Sequence, residues 1–130
     1  MGFALADEAA SQGAKVILVA GPVYLPTPNG VERIDVRSAQ QMHDAVMARV
    51  GGCHVFIAAA AVADYRPVHK SVQKIKKSEA AISIELERTS DILADVAALN
   101  DRPNCVVGFA AETERVEEYA LGKLNKKDCR

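Results

Sequence analysis

Three short, continuous apolar runs constrain the fold of this chain most: VILVA at 16–20, HVFIAAA at 54–60 and CVVGFA at 105–110. An uninterrupted run of four to eight apolar residues is typical of a strand that is covered on both faces, as in parallel sheets. Segments with helical periodicity separate the runs, and parallel strands need such crossovers. We therefore expect an α/β domain with a mostly parallel sheet, for which 130 residues suffice.

The other elements are predicted from helical periodicity, strand alternation and capping residues. Ser38 and Gln41 have the spacing of a capping box, and Thr89 or Ser90 can cap a later helix. Turn-forming residues predict a loop at 21–30, and 61–80 is loop-like and lysine-rich. The predicted helices and alternating strands are a helix at 1–12 that stops before Gly13, a strand at 31–36, a helix from Ser38 to about Val50, a half-exposed strand at 81–88 (AISIELER), a helix ending near Leu99 and a helix at about 113–127.

The composition excludes several classes of function. The formal net charge is −1, so no global field attracts nucleic acid or an anionic membrane, and no apolar run approaches a membrane span. The 3 cysteines and 3 histidines are scattered, so we expect no metal site. Reduced thiols in a cytoplasmic protein fit this pattern best, with Cys53 and Cys105 as small core residues. The glycine signatures of dinucleotide-binding and P-loop proteins are absent.

Ligands of open parallel sheets bind in the loops that follow the carboxyl ends of the strands. One such loop carries Asp64 and Arg66 after a run of small residues, which would let a flat ring approach the backbone. The alternative is that Asp64 caps a turn and Arg66 pairs with a surface acid, and the pattern alone favours that alternative. Phe109, after the third run, can stack on a base, but a core position is its default.

Two lysine clusters have the same ambiguity. KIKK at 74–77 can neutralise a polyphosphate, or it can be a solvated charge run. Lys123 and Lys127 lie four residues apart on the predicted last helix, where two like charges repel each other by roughly 0.2–0.5 kcal/mol. An anion bound between the two lysines would turn this repulsion into a net attraction. A solvated helix end, where the helix dipole favours cations, explains the two lysines equally well.

Three motifs occur in a fixed order: AAVADYRP at 60–67, KIKK at 74–77 and GFAAET at 108–113, with a helix opening at Asp91 before the last. Together they resemble the phosphopantothenate–cysteine ligase family, also called phosphopantothenoylcysteine synthetase, over almost the whole chain. The family domain is usually the carboxyl-terminal half of a bifunctional coenzyme A biosynthesis protein, whose other half is an FMN-dependent decarboxylase. The resemblance implies a Rossmann-like three-layer domain at 1–130.

The resemblance also implies a two-step ligation, unrelated to ATP-grasp enzymes, with 4′-phosphopantothenate, cysteine and CTP as substrates. The carboxylate of 4′-phosphopantothenate attacks the α-phosphate of CTP, pyrophosphate leaves, and the amine of cysteine then displaces CMP from the acyl-cytidylate. Mg²⁺ and lysines offset the phosphate charge. The resemblance implies that Ala60, Ala61 and Asp64 contact the cytosine, that Asp91 lies near the nucleotide and that Phe109 contacts the nucleotide pocket. It implies a catalytic role for Lys74 and triphosphate binding by Lys123 and Lys127. Lys76 and Lys77 would begin a flexible flap that closes over the intermediate.

The chain departs from the family pattern in three places. The family begins earlier, with a strand and a loop that carries a catalytic asparagine, and it continues into a further strand. We therefore expect a partial domain, truncated at both ends, with reduced stability, little or no turnover and weak nucleotide binding. Thr89 and Ser90 also stand before Asp91, where the family usually has Asn-Pro.

Two other classes of function remain open, and so does the oligomeric state. One is a regulatory or degenerate nucleotide-binding module without catalysis. The other is a nicotinamide-dependent oxidoreductase of the same broad fold, against which the missing glycine fingerprint argues. The family is dimeric, and AISIELER is a candidate edge for assembly.

Overall fold

The computed structural model describes residues 1–71, 73 and 82–109. The predicted helix at 113–127 and most of the segment around KIKK lie outside these residues. The described elements, in chain order, are α1 (Gly2–Ser11), β1 (Val16–Ala20), β2 (Val31–Asp35), α2 (Ala39–Met47), β3 (Val55–Ala58), β4 (Tyr65–Pro67), β5 (Leu86–Arg88), α3 (Ile92–Ala97) and β6 (Cys105–Gly108). Within this part of the chain, no helix combines the length and apolar character that a bilayer crossing requires.

The first helix ends where the sequence predicts. Gly13 adopts a φ of 88°, a left-handed conformation that stops a helix at little cost only when the residue is glycine. Ala6 is buried, and α1 packs against β1 and β2. The guanidinium of Arg33, on β2, lies 5.2 Å from the centroid of the Phe3 ring, which ties the exposed end of α1 to the sheet.

The second helix begins at the predicted cap. The Ser38 hydroxyl accepts a hydrogen bond from the backbone N–H of Gln41 at 3.2 Å. The Gln41 side chain reaches back and accepts from the backbone N–H of Arg37 at 2.8 Å, one residue before the position that a standard capping box uses. The helix ends at Met47, three residues short of the predicted Val50.

Removal of the Ser38 cap is expected to destabilise the chain. Ser38→Ala leaves an amide at the start of α2 without its acceptor, which costs about 1 kcal/mol of unfolding free energy. Urea unfolding followed by circular dichroism measures this, with Ser38→Asp as the control because aspartate caps equally well. Equal stability of Ser38→Ala and Ser38→Asp would contradict the assignment.

The described strands form three two-stranded ladders. β1 and β2 are parallel, with Val16 opposite Val31 and Ala20 opposite Asp35. β3 and β6 are also parallel, with Ala58 opposite Gly108 at the carboxyl end. β4 and β5 form an antiparallel hairpin. The described residues contain no ladder between β1 and β3, so the two parallel pairs are separate.

One apolar core joins the two parallel pairs. Its buried members come from α2, α3, β6 and the turn after α2, and Val19 of β1 and Phe56 of β3 pack against them. With α1 on β1 and β2, this gives the three-layer α/β arrangement that was predicted. The buried residues of the cluster are Val46, Val50, Ile92, Val96 and Val106.

The structure corrects the prediction that HVFIAAA is covered on both faces. Val55 and Ile57 are 53% and 43% exposed, whereas Phe56 between them packs against the core. Among the described residues, β3 is therefore covered on one face only. Cys53 and Cys105 are half-buried free thiols rather than core residues, and the Cys53 thiol donates to the carbonyl of Arg49.

Three other local predictions are also wrong. The loop predicted at 61–80 contains β4, whose partner is β5, so pairing between residues far apart in sequence overrides a weak local signal. AISIELER is a strand only at Leu86–Arg88, and its described residues are exposed on both faces. The cap of α3 is Asp91 rather than Thr89 or Ser90.

Candidate functional site

A cleft of about 140 Å³ lies where β1, β2 and β3 end. The chain leaves β1 through Gly21 and Pro22, and it enters α2 directly after β2, so both connections border the cleft. The amino end of α2, with its orphan N–H groups, opens onto the same space. The lining residues are Gly21, Pro22, Val36, Arg37, Ser38, Ala39, Ala61 and Val62.

The loop after β3 carries the predicted cytosine-binding residues, and one of them, Ala61, lines this cleft. Ala60, Ala61 and Asp64 are all exposed. Val62 lines it too but packs against the apolar core, so it anchors the middle of the loop. Small exposed side chains around one anchored residue leave room for a flat ring beside the backbone.

Phe109 lies next to this loop because of the register of the second parallel pair. Its backbone N–H donates to the carbonyl of Ala58 at 3.4 Å, directly beyond the Ala58–Gly108 pair. The side chain is 50% exposed, so the default prediction of a core position is wrong. The structure thus brings Phe109 and the Ala60 loop together at the carboxyl ends of β3 and β6, where ligands of α/β sheets bind.

Asp64 and Asp91 are connected through the residue that follows β5. Thr89 donates its hydroxyl to the carbonyl of Ala63 at 2.6 Å and its backbone N–H to the carbonyl of Asp64 at 3.0 Å. Asp91, two residues later, caps α3 by accepting from the backbone N–H of Ala94 at 3.1 Å. Its carboxylate therefore has a structural use as a helix cap, and its predicted place near the nucleotide stays a prediction.

Arg66 ties the hairpin to α2. Its guanidinium donates to the Glu87 carboxylate at 2.8 Å and to the Gln40 side-chain oxygen at 3.2 Å. Gln40 in turn donates to Asp44 at 2.9 Å, and this hydrogen bond, helped by one with His43, lowers the pKa of the Asp44 carboxyl. The prediction that Arg66 pairs with a surface acid is confirmed, which removes it from the candidate ligand contacts.

The predicted lysines lie outside the described residues: Lys74, Lys76, Lys77, Lys123 and Lys127. The described part therefore places the base-contact candidates at the carboxyl ends of two neighbouring strands, β3 and β6. The roles of these residues and of the phosphate-contact candidates stay predictions. Sequence reasoning missed Thr89 as a contact to the Asp64 loop and Arg37 as a residue of the cleft. A polar residue between β2 and a capped helix is the signal that points to Arg37, whereas no local signal points to the role of Thr89.

The residues at 1–71, 73 and 82–109 contain no group of three or more His, Cys, Asp or Glu side chains that could hold a metal ion. The exposed acids near the cleft are Asp64, in the loop after β3, and Asp35, which pairs with Arg33 at 2.8 Å.

Known proteins resemble this chain over nearly its whole length. It is 55% identical over 130 residues to the coenzyme A biosynthesis bifunctional protein CoaBC of Vibrio cholerae, covering 98% of this chain and 33% of that protein. The Escherichia coli K12 protein of the same name is 50% identical over 131 residues and is covered to 32%. The chain thus spans about a third of the length of the curated relatives that it matches.

A solved structure and a family assignment agree with these relatives. The crystal structure of the C-terminal domain of a CoaBC protein superposes with a TM-score of 0.84 at 44% identity, covering 98% of this chain and 59% of that one. The family described as the DNA/pantothenate metabolism flavoprotein C-terminal domain matches residues 1–130. The family resemblance predicted from the three ordered motifs is confirmed: the chain belongs to the DNA/pantothenate metabolism flavoprotein C-terminal domain family and has its Rossmann-like fold.

Proposed function

We propose that this chain supplies the nucleotide-binding part of a CTP-dependent ligase that joins 4′-phosphopantothenate to cysteine in coenzyme A biosynthesis. The observation that supports this most is the convergence of the Ala60–Asp64 loop with Phe109 at the carboxyl ends of β3 and β6. The relatives named as coenzyme A biosynthesis proteins support the pathway. The ligation chemistry comes from the motif resemblance.

In the proposed base pocket, Ala60 and Ala61 leave room for the cytosine ring and Asp64 recognises its edge. A carboxylate accepts a hydrogen bond from the exocyclic amine of cytosine, whereas uracil presents a carbonyl oxygen there and is repelled. Phe109, half-exposed beside the loop, covers one face of the ring or the ribose. These roles are supported by the exposure of all four side chains and by the backbone hydrogen bond that holds Phe109 beside the end of β3.

The first chemical step makes a poor electrophile reactive. A carboxylate oxygen of 4′-phosphopantothenate forms a bond to the α-phosphorus of CTP, and the bond to pyrophosphate breaks. The amine of cysteine then attacks the acyl carbon, the bond to CMP breaks, and the amine loses a proton. Mg²⁺ on the phosphates would offset their charge. We assign Lys74 to the reacting centre, Lys76 and Lys77 to a closing flap, and Lys123 and Lys127 to the triphosphate.

Other properties of the whole protein are part of the same proposal. An FMN-dependent decarboxylase half accompanies the ligase half in the bifunctional relatives that the motifs suggest. A cytoplasmic homodimer fits the reduced thiols and the exposed apolar side chains beside the hairpin. Those side chains are Ile82, Ile84 and Leu86, exposed at 61%, 66% and 54%.

A calorimetric titration of the chain with CTP and then ATP, in the presence of Mg²⁺, tests the nucleotide site. We expect saturable CTP binding, weaker ATP binding, and loss of CTP binding by about tenfold or more in Asp64→Ala, because a hydrogen bond to a charged group is lost. Asp7→Ala, which removes an exposed carboxylate from α1, is the matched control. Equal CTP affinity of wild type and Asp64→Ala would remove Asp64 from the site. CTP binding without ligase turnover, in this chain and in a longer protein that contains it, would favour a regulatory module.

A further inference from the structure

Thr89 makes two hydrogen bonds to the loop that carries Asp64, although the residues are far apart in the sequence. The hydroxyl oxygen lies 2.6 Å from the Ala63 carbonyl oxygen, across 26 residues of sequence. The backbone nitrogen lies 3.0 Å from the Asp64 carbonyl oxygen. Thr89 is half-buried, whereas Ala63 and Asp64, which supply the two acceptors, are exposed.

These two bonds hold the peptide planes on either side of the Asp64 Cα atom. The Ala63 carbonyl belongs to the peptide before that atom, and its direction sets φ of Asp64. The Asp64 carbonyl belongs to the peptide after it, and its direction sets ψ. Because the backbone has only these two soft dihedrals at a residue, Thr89 fixes the direction in which the Asp64 side chain leaves the chain.

Thr89 is itself held on both sides. It follows β5, whose Glu87 binds Arg66 of β4, and it precedes α3 by two residues. Ile92 and Val96 of α3 are buried in the apolar core. The orientation of the Asp64 backbone is therefore fixed by a residue that is attached to the apolar core, and not by the exposed loop alone.

We propose that Thr89 is a positioning residue that aims the Asp64 carboxylate at the exocyclic amine of a cytosine nucleotide. This inference rests on the proposed function, and it adds the group that sets base preference without touching the base. Loss of the hydroxyl frees the peptide before Asp64 while leaving the backbone bond from the Thr89 amide. The carboxylate then samples directions in which it neither accepts from cytosine nor repels uracil.

The test compares wild type, Thr89→Val and Thr89→Ser in calorimetric titrations with CTP and UTP at fixed Mg²⁺. Valine keeps the shape and loses the hydroxyl, whereas serine keeps the hydroxyl. We expect the ratio of CTP to UTP affinity to fall about fivefold or more in Thr89→Val and to recover in Thr89→Ser. Thr27→Val, in the exposed loop after β1, is the matched control, and urea unfolding of each variant checks its fold.

The outcomes separate this inference from the proposed function. A wild-type chain without a preference for CTP over UTP overturns both. A wild-type preference that is unchanged in Thr89→Val, or that is lost equally in Thr89→Ser, overturns the role of Thr89 alone. Loss of the unfolding transition in Thr89→Val would show that the hydroxyl serves folding rather than base preference, and it too overturns the inference.

Discussion

Val96→Asp is expected to remove the cooperative unfolding transition of the chain at 25 °C. Val96 is fully buried and lies in the cluster that joins α2, α3 and β6. A carboxylate there would be buried among the apolar side chains of this cluster, and an uncompensated buried charge costs about 3–5 kcal/mol. Small domains have only about 5–15 kcal/mol of stability, and this chain shares one core among separate strand pairs. Urea titration followed by far-ultraviolet circular dichroism measures the effect.

Two further variants separate burial from the change in charge. Val96→Ala removes apolar volume without adding a charge, so it should lower the unfolding midpoint less than Val96→Asp does. Ala98→Asp adds the same charge at an exposed position at the end of α3 and should cost at most about 1 kcal/mol through the helix dipole. An unchanged midpoint in Val96→Asp would mean that this cluster does not hold the fold together.

Lys74→Ala is expected to lower ligation by about a hundredfold or more. The proposed first step gathers negative charge at the α-phosphorus, and loss of one preorganised group that stabilises such charge typically costs about 10²–10³ in rate. The measurement uses a chimera, in which this chain replaces the matching 130-residue span of the Vibrio cholerae relative. Release of pyrophosphate with CTP, 4′-phosphopantothenate and cysteine reports the rate.

Lys15→Ala is the control for charge in the same chimera, because Lys15 is exposed between α1 and β1. It should leave the rate within about twofold, as surface charges far from a site act weakly through water. Lys74→Arg adds a finer distinction, since arginine keeps the charge but changes its shape. A rate in Lys74→Ala equal to that of the unmutated chimera would place the catalytic charge elsewhere.

Local signals were sufficient where an element depends on its own residues. Gly13 stops α1 because its φ is positive, and Ser38 caps α2 because its hydroxyl reaches the amide of Gln41. The apolar run VILVA forms β1 as predicted. In each case the sequence within a few residues contains the whole physical reason.

Predictions failed where the structure depends on partners that are distant in sequence. β4 forms because Tyr65–Pro67 meets Leu86–Arg88, and Tyr65–Pro67 has no strong strand signal in isolation. The exposure of Val55 and Ile57 depends on which elements cover β3, and an apolar run alone cannot report that. The cap at Asp91 was misplaced by one or two residues because Thr89, Ser90 and Asp91 are all good caps.

In the candidate site, too, local features were predicted from the sequence and contacts between distant residues were not. The carboxyl-end rule located the Ala60–Asp64 loop and the residue after β6 from the order of strands alone. The hydrogen bonds of Thr89 and Arg66 could not be predicted, because they join residues that only the folded hairpin brings together. Arg66 uses its guanidinium within the hairpin and toward Gln40, and Asp91 caps α3.

The most direct test of the central proposal is the identity of the product that the unmutated chimera makes. The chimera is incubated with Mg²⁺, 4′-phosphopantothenate and cysteine, with either CTP or ATP, and the products are identified by mass spectrometry. The proposal predicts 4′-phosphopantothenoylcysteine and CMP with CTP, and slower formation of the amide with ATP. A folded chimera that forms no amide with either nucleotide would contradict the proposed ligase function of this chain.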